Sequence, residues 1–154
     1  MRRTITKAAS LGAVAMFAVA LAQPAQAAQS GDAGARPAAK VAPAYFEFTD
    51  GTNTFVFQLT DSARIQQARN ILSGVETENV GVMGTVVKAP ASYNKPWKYQ
   101  LAPNSVQFFG MAVEVCDASI SYVNDHLPEV GGALLPGSTW CPWQSKLTRE
   151  VTAP

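Results

Sequence analysis

Three observations predict an α+β fold with a mainly antiparallel sheet of five to six strands, two short helices and one disulfide. Apolar residues alternate with polar ones over several short segments, two segments carry apolar residues at helical spacing, and the chain has two cysteines. Strands dominate, and the helices fall between groups of strands rather than after every strand. That order argues against an alternating parallel sheet.

Each element has its own local reason. Tyr45-Phe46-Glu47-Phe48-Thr49 and Thr54-Phe55-Val56-Phe57-Gln58-Leu59-Thr60 alternate with period two, and Asp50-Gly51-Thr52-Asn53 between them is turn chemistry. A four-residue loop sets Phe48 opposite Phe55 and Phe46 opposite Phe57. A two-residue Asp-Gly turn would shift the register by two and leave all four on the same face. The next segment has Asp61 as N-cap, a stripe of Ile65, Ala68, Ile71 and Leu72, and Gly74 as stop, which makes a helix.

Residues 80–88 read as a strand weakened by Gly81 and Gly84, and residues 89–96 as a proline-containing loop. Residues 97–101 form a strand with Trp97, Tyr99 and Leu101 on one face. After a turn at 102–105, the apolar run 106–116 reads as a long strand. Its inward parity changes near Phe109 and Gly110, where a bulge is expected. Residues 119–127 place Ile120, Val123 and Leu127 at helical spacing, with Asp117 as the expected N-cap and Pro128 as the stop. Gly131-Gly132 and Pro136-Gly137 make the stretch from Gly131 to Thr139 a loop, and residues 144–151 form the last strand.

The N-terminus sets the expected compartment. Residues 1–7 carry three positive charges, residues 8–22 carry none and are apolar, and Ala25-Gln26-Ala27 is a small-x-small site. This is the order of a secretory signal peptide, with cleavage expected after Ala27. The uncharged run is shorter than the ~20 residues that span a bilayer, so no membrane attachment is expected once it is removed. Residues 28–43 read as a flexible leader and 44–151 as a single α+β domain. Beyond residue 27 there are nine Lys and Arg against eleven Asp and Glu, a net charge of −2. That balance argues against a nucleic-acid binder. An exported chain with two cysteines is expected to pair them, Cys116 with Cys141.

Catalytic chemistry is hard to build from these residues. His126, the only histidine, could join Asp125 and Glu129, but two carboxylates and one imidazole at a helix end more often face solvent than hold a metal. Glu114, within an apolar run, would need a partner and carry a raised pKa if it faced the core. No nucleophile elbow, phosphate-cradling loop or His-Glu-x-x-His motif is present. No catalytic residue, metal or cofactor is therefore assigned. The stretch from Lys88 to Tyr99 interleaves Lys95 and Lys98 with Tyr93 and Trp97. These four residues are the candidate partner contacts, although strand alternation alone would also turn the aromatics inward.

Several motifs, in order, carry a resemblance. They include Tyr45-Phe46-Glu47-Phe48-Thr49-Asp50, Ile71-Leu72-Ser73-Gly74, Tyr93-Asn94-Lys95-Pro96-Trp97, Val113-Glu114-Val115-Cys116-Asp117-Ala118 and Trp140-Cys141-Pro142-Trp143. Together they resemble the small secreted N-terminal domain of calmodulin-binding proteins, including bacterial calmodulin-binding-like proteins, over residues 44–151. The resemblance implies no catalytic residues, and it implies calmodulin as a partner by family name alone. Calmodulin targets are usually basic amphipathic helices. The helix at 62–72 has only Arg64 and Arg69, and its apolar stripe is expected in the core. The resulting expectation is a secreted, non-catalytic module that recognises a protein or extracellular ligand through loops, those from Lys88 to Pro96 and from Gly131 to Thr139. The alternatives are a small secreted hydrolase using Glu114, Asp117 or His126, and an exported inhibitor using the loop from Gly131 to Thr139.

Overall fold

The computed structural model describes residues 41–112 and 114–152. The expected signal peptide and most of the expected leader, residues 1–40, lie outside them. Val41, Ala42 and Pro43 are exposed and without regular structure, and the first strand begins at Ala44.

Strands β1 (Ala44–Thr49) and β2 (Thr54–Leu59) form the aromatic hairpin. The four-residue turn sets the register, with Phe46 opposite Phe57 and Phe48 opposite Phe55. Asp50 Oδ1 accepts from the amides of Thr52 and Asn53, which fixes this turn rather than the two-residue alternative. Helix α1 (Ser62–Leu72) follows, with Asp61 Oδ1 accepting from Arg64 N at 2.9 Å and Gly74 in the left-handed region at φ 76°. Ile65 and Ala68 are buried, and Ile71 and Leu72 pack half-buried beside them.

Strand β3 (Gly81–Val87) is the hub of a second sheet, pairing antiparallel with β4 (Gln100–Leu101), β5 (Gln107–Phe109) and β8 (Thr139–Trp140). Its glycines do more than weaken the strand. A Cβ at Gly81 would stand 2.7 Å from the Phe109 ring, so the glycine admits that ring. The last strand, β9 (Lys146–Val151), pairs with β1, giving the first sheet the order β2-β1-β9. Both sheets are antiparallel, and the α+β class stands.

Several details differ from the sequence expectation. The apolar run 106–116 is not one long strand. It ends at Phe109, and the next residue, Gly110, packs against the backbone carbonyl of Glu78, where a Cβ would stand 2.7 Å away. No bulge bridges the break, and the chain instead enters a 3-10 turn, Glu114–Cys116. The strand expected at 97–101 is reduced to β4, because residues 93–98 hydrogen-bond to other elements rather than to β3. The second helix, α2 (Ile120–Asp125), is shorter than expected and is capped by Ser119, not Asp117. Pro128 lies in a following 3-10 turn, Leu127–Glu129. The stretch from Gly131 to Thr139 is not all loop. The short strands β6 (Val130–Gly131) and β7 (Leu134–Pro136) pair in parallel, and β8 joins β3.

One core joins the two sheets. The ring of Trp140, on β8, lies 5.7 Å from that of Phe48, 5.2 Å from that of Phe55 and 5.4 Å from that of Tyr99. Phe57 reaches Phe108 of β5 at 6.5 Å. Such edge and tilted contacts add to the area these rings bury. Among the described residues, no buried side-chain nitrogen or oxygen lacks a hydrogen-bond partner.

Candidate binding surface

Tyr93 and Trp97, two of the four candidate contacts, are used inside the fold. Tyr93 packs 5.0 Å from the Tyr45 ring and donates to Gln100 Oε1 at 2.9 Å, and burial pushes its hydroxyl pKa up. The Trp97 indole donates to the Thr54 carbonyl at 2.7 Å and packs half-buried on the core. Between them Asn94, 1% exposed, accepts from the Val56 amide and donates to the Tyr99 carbonyl. Side chains thus cover the outer edge of β2 in place of a further strand. Lys95 and Lys98 are exposed. The Lys98 amide donates to Asn124 Oδ1 of α2, so the segment is held from both sides.

The residues proposed for a hydrolase are not gathered into a site. His126 ends α2 with its ring stacked 4.1 Å from Tyr122 and Nδ1 3.0 Å from the Tyr122 carbonyl. The side chain of Glu114 lies outside the described residues. Asp117 does share a cleft of about 150 Å³ with Asp50, Ser119 and Gln144. There it accepts from the Trp143 amide at 2.9 Å. Asp50 is equally committed, since its Oδ2 accepts from the Ile120 amide at 2.8 Å. Burial raises the Asp50 pKa, but the amides of Asn53, Ile120 and Thr52 outweigh it and hold the carboxyl below the usual range. Both carboxylates are engaged by backbone amides of their own fold. Among the described residues, no group of three His, Cys, Asp or Glu side chains is placed to hold a metal.

Tyr99 donates to the Ile120 carbonyl at 2.9 Å, so Asp50 and Tyr99 grip the two sides of one residue at the start of α2. Burial, reinforced by the Asp50 charge, pushes the Tyr99 pKa up and keeps the phenol protonated for this donation. Cys116 and Cys141 form the disulfide, with Cα atoms 5.1 Å apart. The Cys141 amide also donates to the Cys116 carbonyl at 2.7 Å. The segments on either side of the bridge are therefore tied side by side.

That tie carries a surface the sequence reading did not single out. Phe109, Gly110, Met111, Ala112 and Trp143 line an open groove of about 240 Å³. Met111 is 92% exposed and Trp143 44%, and Val115, in the turn before Cys116, is 67% exposed. The run was expected to continue as a strand, which hid this outcome. The parity change at Phe109 and Gly110 was the one available signal. The stretch from Gly131 to Thr139 is anchored by buried Leu135 and by the Ser138 carbonyl, which accepts from the Val86 amide of β3, while Gly131, Gly132, Ala133, Pro136, Gly137 and Thr139 are exposed.

Fold and surface together define a small, disulfide-bridged α+β domain with an exposed apolar groove on the segments next to the bridge. The family model described as the BP-74 N-terminal domain matches residues 42–154, and the chain belongs to that family. Comparison with curated proteins and with solved structures returns no match.

Proposed function

We propose that this protein is a secreted, non-catalytic binding module that recognises a protein through loops. The observation that carries the reading is the exposed groove of Met111 and Trp143 on segments held by the disulfide. Soluble domains rarely leave Met and Trp side by side in water unless something covers them, and both residue types are enriched in interface cores. Against a hydrolase stands the engagement of Asp50 and Asp117 by backbone amides. Against an inhibitor stands the way β3 holds the loop from Gly131 to Thr139. Lys95 and Lys98 remain as a separate, polar contact surface.

Export supports the same reading and has its own check. N-terminal sequencing of secreted material should begin at or near Ala28, and a protein confined to the cytoplasm with Met1 intact would contradict it. For binding, the immobilised protein should capture a partner from culture supernatant that a Met111→Ser, Val115→Ser variant fails to capture. A partner retained equally by the variant would move the binding surface elsewhere.

A further inference from the structure

We infer that the groove beside the disulfide docks a protein segment that carries bulky apolar side chains flanked by Lys or Arg. The inference rests on the binding-module reading and adds the chemistry of the partner. The apolar part follows from Met111 and Trp143. The basic part follows from the charges around them. Residues 70–87 and 99–145 contain six acidic residues and neither Lys nor Arg, with Lys88 Nζ donating to the Pro128 carbonyl from outside them. Two of these acids are placed at the groove by contacts. The Glu78 backbone packs against Gly110, and Asp117 accepts from the Trp143 amide. Both are exposed. Lys146 is the nearest cation along the chain, and it sits on β9 opposite Thr49.

An apolar groove with two acidic residues beside it selects among occupants. A second copy docked across a two-fold axis would bring like charges together, which is unfavourable at close range. An anionic membrane would meet the same repulsion. A basic, apolar segment instead gains from both terms, and its association should weaken with salt as the charges are screened.

The test is NMR of the Met111 methyl and the Trp143 indole in the purified protein, titrated with a short peptide of Lys, Leu and Trp. The expected result is a saturable shift of both signals, with affinity falling as salt rises. The same peptide with Glu for Lys should shift neither. Met111→Ser should weaken binding roughly tenfold or more. Glu78→Gln with Asp117→Asn should flatten the salt dependence while the fold, checked by thermal melting, survives. Asn at 117 keeps an oxygen for the Trp143 amide. Equal shifts from the Glu peptide would overturn the charge assignment but leave the binding module standing. So would shifts from phosphatidylglycerol vesicles alone, or concentration-dependent broadening without peptide. A peptide that binds while both groove signals stay still would overturn the groove itself as the docking site.

Discussion

Asp50 ties together two parts of the molecule that lie far apart in sequence. It closes the β1–β2 turn through Thr52 and Asn53 and holds the first residue of α2 through Ile120. Hydrogen bonds to a charged acceptor are stronger than neutral ones, so Asp50→Ala should cost about 1–3 kcal/mol in urea unfolding. The pH dependence follows from its lowered pKa. A carboxyl whose pKa is lower folded than unfolded contributes stability above its unfolded value, near about 4. That contribution is lost as pH falls through the lower folded value. Glu47 behaves in the same sense, held down chiefly by its hydrogen bonds from Arg149 and further by that from Thr148. Asp50→Asn should therefore flatten the acid limb of a stability profile, and an unchanged limb would remove Asp50 from this role. The turn chemistry of Asp50 was legible in the sequence, because it acts within three residues. Its hold on Ile120, seventy positions away, was not.

The hairpin is the element that sequence periodicity resolved best. Period-two alternation over six residues fixes which side chains share a face, whichever turn joins the strands. Phe46, Phe48, Phe55 and Phe57 are all fully buried. Phe57→Ala should cost about 3–5 kcal/mol, and an unchanged urea midpoint would contradict the placement. The segment after β5 shows the opposite limit. An apolar run can be a buried strand or an exposed turn, and long-range contacts such as that of Gly110 with the Glu78 carbonyl are not readable from its local pattern. The disulfide then holds the turn against the segment around Trp143. By chain entropy it should contribute about 3 kcal/mol. Reduction should lower the melting temperature by about ten degrees or more. Non-reducing mass spectrometry should show a Cys116–Cys141 linked peptide, whereas two alkylatable thiols in the native protein would contradict the bridge.

At the scale of the whole molecule, the two sheets are joined by aromatic rings centred on Trp140, and among the described residues every buried side-chain nitrogen and oxygen has a hydrogen-bond partner. The fold class was legible because strand and helix periods are local. The candidate contacts Tyr93 and Trp97 were visible as aromatics, but their inward orientation depends on β1, β2 and the partners those strands offer. Of that set Lys95 and Lys98 are exposed, and Tyr93 and Trp97 are half-buried. The groove of Met111 and Trp143 could be found only once the strand was seen to end. The central claim is that this groove is where the protein meets its partner. Amide hydrogen exchange, with and without the captured partner, tests it most directly. Protection gained at residues 109–117 and 141–145 is the predicted result, and protection confined to residues 88–98 or 131–139 would contradict it.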